Sequence, residues 1–346
     1  MFILLVRDIK RPSASRTILD FRYGKDVSKE FIIHKINANS AYMIKSAKEF
    51  AKLSKYRQKS CYVCSGKKSK PVSSFYGIRY LMCQKCNHVY AARRITEEQL
   101  TNHYSENEDY FTHVYPDKRI LPIRKQLFIP KIRFVKKYTK GRNWLDVGSA
   151  DGTAVSAAIS QGFKGEGIEI SKPARDFARK YLNLLLSDKP LEVLENETKK
   201  RDVISFFGVL EHMPDPVNIL KISNRLLNEN GIVAIEVPHY SSLTTAIQKL
   251  SGEPDRHLVP FTHIMIFTIK SATYLLKKTG FKPIAVWFWG NDVIELLKYI
   301  KNQNRKFLNS ELYDVLCDKL NNIQHIFDEY KMGDEFFIIG RKIKSV

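Results

Sequence analysis

From residue 142 to residue 346, short apolar runs alternate with amphipathic stretches, the pattern of strands buried on both faces and covered by helices. The runs are NWLDVG (143–148), GEGIEI (165–170), LNLLL (182–186, the weakest), DVISFF (202–207), GIVAIEV (231–237), PIAVWFW (283–289) and EFFIIGRKI (335–343). They predict a doubly wound α/β fold with a seven-stranded sheet over 140–346, and residues 291–332 add a helical insertion before the last strand. Ahead of residue 140 the periodicity is weaker. Residues 38–56 read as an amphipathic helix, FYGIRYLM (75–82) as a β segment, and 96–138 as a helical lead-in with Thr96 as N-cap before Glu97 and Glu98. The chain therefore divides into an N-terminal extension of uncertain structure (1–58), a small module (59–90), the lead-in (91–139) and the sheet domain (140–346).

Two constellations carry chemistry. WLDVGSADGT (144–153) takes a strand into a glycine-bearing turn and then a helix, so that Gly148 permits the reversal and Gly152 lets main chain approach a ligand. Asp146 and Ser149 flank that turn. A dinucleotide fingerprint requires Gly-x-Gly-x-x-Gly, whereas these positions hold Gly148, Ala150 and Thr153, which favours a nucleoside ligand without pyrophosphate. Glu169 closes the next strand, where a carboxylate can accept from both ribose hydroxyls. The second constellation is Cys61-x2-Cys64, eighteen intervening residues, then Cys83-x2-Cys86. Paired Cys-x2-Cys turns suit a tetrahedral structural zinc, with disulfides as the alternative. This makes 59–90 zinc-ribbon-like, and leaves Cys317 as a small apolar side chain in the insertion.

The formal charge of +21 admits a polyanionic partner, but the lysines are spread along the chain without a block of five like charges. Diffuse charge of this kind predicts no specific nucleic acid partner, and it suits a phosphate-bearing small molecule. No run approaches the roughly 18 apolar residues of a membrane span. MFILLV, only six apolar residues before Arg7 and Asp8, is too short for a signal-peptide core, which gives a cytoplasmic expectation.

LDVGSADG (145–152), the acidic end of GIEIS (167–171), FFGVLEHMPDP (206–216) and LLNENGIVAIEVP (226–238) together resemble the class I S-adenosylmethionine-dependent methyltransferase family. The resemblance covers about 142–240 and extends through the final strand pair. It implies that Asp146, Gly148 and Gly152 hold the methionine and adenosine parts of S-adenosylmethionine and that Glu169 holds its ribose. It also implies that Leu210, Glu211 and His212 line the reacting centre beside the cofactor. Ala150 departs from the family's usual glycine. The four-cysteine segment followed by YS…DYF resembles a bacterial group that includes sugar methyltransferases of antibiotic and surface-polysaccharide pathways. Carbon-methylating members carry HEH…YFS after the fifth strand; PFTHIMIFT (260–268) keeps only His263 of it. The resemblance thus implies transfer to an oxygen of a sugar or nucleotide-linked sugar, with RNA methylation or sugar C-methylation as alternatives. An RNA-base enzyme should carry an NPPY or DPPY motif, which the chain lacks, and a non-catalytic module would not need Gly148, Gly152 and Glu169 together. A hydroxyl acceptor needs a base, for which His263, His212, His239 and His257 are the candidates, His263 first. All four follow strand ends and are expected to face one pocket.

Overall fold

The computed structural model describes residues 44–75, 77–105, 118, 121–251, 257–258 and 263–346. The expectations for residues 1–43 and for the DYF segment (109–111) lie outside the described residues.

After a helix over 44–53 (α1) come β1 (Tyr56–Arg57), β2 (Ser69–Phe75), β3 (Ile78–Cys83), β4 (Val89–Ala91) and β5 (Arg93–Arg94). Two helices follow, α2 (Glu97–Ser105) and α3 (Leu121–Lys136). Thr96 caps α2 reciprocally: its hydroxyl accepts from the Gln99 N–H at 3.1 Å, and its own N–H donates to the Gln99 side chain at 3.0 Å.

The alternating region then folds as β6 (Asn143–Val147), α4 (Thr153–Ser160), β7 (Lys164–Ile168), α5 (Lys172–Leu182), α6 (Leu191–Leu194), β8 (Arg201–Phe207), α7 (Pro216–Leu226) and β9 (Leu227–Pro238). It continues with α8 (Leu243–Ser251), β10 (Met265–Ile266), α9 (Ile269–Lys278), β11 (Phe281–Trp289), α10 (Asp292–Gln303), α11 (Glu311–Asp318), α12 (Leu320–Glu329) and β12 (Glu335–Lys342). The main sheet has the order β7-β6-β8-β9-β12-β11. Its first four strands are parallel, and β12 runs antiparallel to both neighbours. Buried strands such as β8 and β12 supply Val203, Phe206, Phe336 and Ile338 to the core, all 0% exposed. The insertion α10–α12 builds a separate cluster around Val293, Leu297, Phe307 and Tyr313.

The main sheet therefore has six strands, not seven. LNLLL (182–186) does not extend because Asn183 ends α5 in the left-handed conformation, leaving Leu185 85% exposed. Only one rung forms beyond it, with Ser187 N–H donating to Gly167 at 3.0 Å and Glu169 N–H donating to Ser187 at 2.8 Å. Leu184 and Leu186 instead lie over the glycines at 152 and 167.

The cysteine segment forms a four-stranded sheet in the order β2-β3-β4-β10, so its last strand is supplied by residues 265–266. Further bonds fasten it to α9: Lys278 donates to the Val63 carbonyl at 3.0 Å and Thr268 to the Asn87 carbonyl at 3.3 Å. The ribbon and the main sheet thus share one contiguous hydrophobic core.

Candidate functional site

β6 ends at Val147 and α4 begins at Thr153, so the chain reverses within five residues. It does so through three left-handed residues, Gly148 (φ 69°), Ala150 (φ 49°) and Gly152 (φ 76°). A β-carbon on Gly148 would stand 2.7 Å from the Val209 side chain, so glycine is required there by space as well as by backbone. Ala150 bears its methyl in a conformation that costs an L-residue roughly 1–2 kcal/mol. Glu169 holds it: Oε2 accepts from the Ala150 N–H at 2.8 Å, and Oε1 accepts from the Ser171 N–H at 2.8 Å. Burial pushes the Glu169 carboxyl up, and those two N–H groups oppose the shift.

Asp146 is 1% exposed. Its Oδ1 accepts from the Ser205 hydroxyl at 2.5 Å, and Ser205 in turn accepts from the Trp144 indole at 2.7 Å. Burial pushes the carboxyl up to about 7; the Ser205 bond opposes this and the Glu169 charge adds to it. Ser149 donates to the Asp146 carbonyl at 2.8 Å and occupies the space a side chain on residue 167 would need.

A cavity of about 550 Å³ opens over this turn, lined by Asp146, Gly148, Ser149, Glu169 and His212 among others. Gly152, Leu210 and Glu211 are not on its wall. Leu210 is wholly buried and Glu211 is 2% exposed, because the 3-10 turn over Leu210–His212 directs them inward and only His212 outward. The lead-in helices complete the wall with Tyr104, the first tyrosine of the YS…DYF stretch, and with Arg124, which no motif marks. Tyr104 of α2 bonds its hydroxyl to His212 Nδ1 at 2.9 Å, and Arg124 of α3 pairs with Asp151 at 3.0 Å. The YS…DYF resemblance includes Tyr104 without a role, and neither it nor the capped start of α2 carries register across the gap to the sheet.

The structure brings three of the four histidines into a row. The rings of His212 and His263 are 5.1 Å apart, and those of His263 and His257 are 5.8 Å apart. His263 Nδ1 lies 2.9 Å from the His257 carbonyl, which can only accept, so Nδ1 carries a proton and, in the neutral ring, Nε2 is the basic nitrogen. Ligand atoms of Glu211, His212 and His263 all lie within 4.8 Å of one another. Burial pushes the Glu211 carboxyl well above the usual carboxylate range, and nearby Glu335 and Glu236 add to it. The expectation of one pocket for all four histidines is corrected at three of them: only His212 is on the cavity wall, and His263, 9% exposed, reaches it only through its ring contact with His212. His257 is 1% exposed beside Asp334, with Nε2 3.4 Å from its carboxylate. His239 packs against Phe288 and Phe336 with Nδ1 on the Gly333 carbonyl at 3.2 Å, and burial lowers its pKa to about 4. The antiparallel β12 passes beside the end of β9, so the residue after that strand is covered instead of facing the cavity.

The four cysteines form a second cluster. Sγ–Sγ distances are 3.5 Å for Cys61–Cys86 and 3.4 Å for Cys64–Cys83, and all four sulfurs lie within 4.8 Å. Thiolates about 2.3 Å from a tetrahedral zinc are about 3.8 Å apart, so the set fits one ion. The two turns are congruent. Ser65 and Asn87, each following a second cysteine, are left-handed, and their N–H groups donate to Cys61 and Cys83 at 2.9 Å. A β-carbon on Gly66 would come within 3.1 Å of the Cys64 sulfur.

Residues 123–286 match the family described as a methyltransferase domain. That segment is similar to methyltransferase domains. A ubiquinone biosynthesis O-methyltransferase of Actinobacillus pleuropneumoniae is 27% identical over 177 residues, 44% of this chain and 76% of its own length. Another, of Coxiella burnetii, is 29% identical over 97 residues, which is 27% of this chain and 42% of that relative's length. Among solved structures, a Thermotoga maritima methyltransferase, described as a possible histamine N-methyltransferase, is 16% identical with a TM-score of 0.46. That likeness covers 68% of this chain and 98% of that one. Magnesium protoporphyrin IX methyltransferase from Synechocystis is 12% identical with a TM-score of 0.45, over 71% and 99%. Among the described residues no helix is long and apolar enough to cross a membrane.

The sheet domain should show a pH signature from Asp146. In the unfolded chain an aspartate ionises near 3.9, whereas the folded value is about 7. Between these values the fold retains a proton the unfolded chain has released, so the ligand-free protein loses stability as pH rises from about 4 to about 7, by at most about 4 kcal/mol from this group. Melting temperatures of parent and Asp146→Asn measured from pH 5 to 8 check this. The variant is expected to lose less stability across that range, and parallel curves would refute it.

Proposed function

We propose that the methyltransferase domain transfers a methyl group from S-adenosylmethionine to a hydroxyl oxygen of a small molecule. One observation carries the reading: the cavity over the glycine turn is walled both by Glu169 and by His212, whose imidazole is tied to Tyr104. Its volume of about 550 Å³ suits a nucleoside-sized ligand with an acceptor beside it. The sulfonium cofactor carries its own leaving group, so the chain's task is alignment and proton removal. Each Glu169 oxygen receives one main-chain N–H and retains a lone pair for a ribose hydroxyl. Asp146, Gly148 and Ser149 place the main chain of the turn under the methionine end, and Arg124 with Asp151 fixes that turn to α3. Gly152 acts at one remove, by letting the turn close.

At the acceptor end, Nε2 of His263 takes the proton from the attacking hydroxyl, with the Nδ1 proton anchored on the His257 carbonyl. His212, held by Tyr104, orients the acceptor. The relatives named ubiquinone biosynthesis O-methyltransferase favour oxygen over carbon as the atom methylated. A sugar or nucleotide-linked sugar is the narrower acceptor proposed, and phenolic compounds are the comparison class. A second reading has a specific support: Oε2 of buried Glu211 has no hydrogen-bond partner, and with His212 and His263 it makes a nitrogen and oxygen donor set for a divalent cation. In that case turnover rises with added Mg²⁺, Mn²⁺ or Zn²⁺, whereas a histidine base needs no added cation.

The cofactor assignment is tested by calorimetry with S-adenosylhomocysteine. Glu169→Ala should bind at least about tenfold more weakly, having lost two acceptors for a charge-assisted bond. Equal affinity in parent and variant would overturn it.

For the base, labelled methyl transfer to a panel of catechols and nucleotide sugars is the measurement. His263→Ala should lower turnover by roughly 10²- to 10⁴-fold with cofactor affinity unchanged. Undiminished transfer in both His263→Ala and His212→Ala would show that the acceptor needs no histidine.

We further propose that Cys61, Cys64, Cys83 and Cys86 hold one structural zinc. Elemental analysis should give one zinc per chain and none in Cys83→Ser, whose ribbon should melt at lower temperature; metal-free parent purified without chelator would contradict this.

A further inference from the structure

The loop that carries His263 depends on the ribbon more than on the sheet it follows. His263 O accepts from the Tyr80 hydroxyl at 3.1 Å, and Ile264 O accepts from the Ala91 N–H at 2.9 Å. Met265 and Ile266 then pair with Tyr90 and Val89 as the fourth ribbon strand. The main sheet takes hold only at the next residue, where Tyr240 N–H donates to the Phe267 carbonyl at 2.9 Å. Four consecutive residues, 263–266, thus take these contacts from a segment that lies more than 170 positions away in sequence.

We propose that the four-cysteine ribbon is the positioning element for the acceptor side of the cavity, and that Tyr80 is its positioning residue, acting through the main-chain carbonyl of His263. Tyr80 is fully buried on β3, the central strand next to the cysteine turn, so its ring cannot move without the ribbon. A tyrosine hydroxyl in such a place is expensive to leave unbonded, and its bond fixes the direction of the His263 carbonyl. The carbonyl direction sets the peptide plane from which the imidazole projects toward His212, 5.1 Å away between rings. Tyr62 is the internal control: it belongs to the same ribbon and stacks edge-on against Tyr90, without a bond to residues 263–266. The assignment of His263 to the acceptor side rests on the function proposed above, whereas the coupling from ribbon to loop rests on the contacts alone.

The test compares Tyr80→Phe with Tyr62→Phe and parent in the full chain. Histidine ring signals are followed by NMR through a pH titration, with His263→Gln to assign the His263 signal, and amide exchange is measured at residues 264–266. Tyr80→Phe should displace the His263 and His212 ring signals and speed exchange at Ile264 and Met265 by about tenfold. Zinc content and S-adenosylhomocysteine affinity should stay at parent values, and Tyr62→Phe should change none of these. Unchanged His263 signals in Tyr80→Phe, or equal changes in both variants, would overturn the proposal. Should Tyr80→Phe not fold, parent protein treated with chelator takes its place: exchange at 264–266 must rise before exchange in β6 and β8, and simultaneous rise overturns it. A parent that fails to bind S-adenosylhomocysteine would refute the proposed function while leaving this coupling to be judged by the exchange data.

Discussion

A helix can start directly after a buried parallel strand only if the chain reverses within a few residues and exposes main chain where it turns. Here the reversal uses left-handed conformations at 148, 150 and 152, one of them on an alanine. The strain at Ala150 is tolerated because the carboxylate of Glu169, at the end of the neighbouring strand, receives its N–H. That contact ties the turn after β6 to the end of β7, beyond the ladder the two strands already share, and orients the carboxylate proposed to meet the ribose. Val209 stands where a side chain on Gly148 would be, so the turn and the segment leading to His212 pack together only with glycine at 148.

Much of this was legible in the sequence because it is local. Six of the seven apolar runs are strands of the main sheet, and the glycine turn and the cysteine doublets announce themselves by spacing. The failures come where a local pattern meets a non-local decision. LNLLL has the hydrophobicity of a strand, yet a left-handed Asn183 and a single rung at Ser187 leave its leucines packing over glycines. His239 stands after a strand end like the others, but the antiparallel β12 beside it covers that position. Leu210 and Glu211 share a motif with His212, and three residues of 3-10 turn cannot all face one way.

Residues to which no sequence motif assigns a role share a cause. Tyr104 and Arg124 come from helices ahead of the sheet, and nothing in their own spacing indicates which strand end they will cover. Tyr80 is likewise an ordinary alternating β residue until β10 is laid beside β4. Pairing across such distances is fixed by the assembled core, where ribbon and sheet form a single cluster.

The borrowed fourth strand also orders events as the chain is made. All four cysteines lie between 61 and 86, so an ion can be captured when little more than that segment has left the ribosome. The strand that completes the ribbon is at 265–266, after most of the parallel sheet. In the interval β4 is an unpaired sheet edge, a template that could recruit another chain. Synthesis at roughly 5–20 residues per second keeps that edge open for roughly ten to thirty seconds. The late arrival of Met265 and Ile266 therefore closes an aggregation hazard in the same step that seats His263 beside His212.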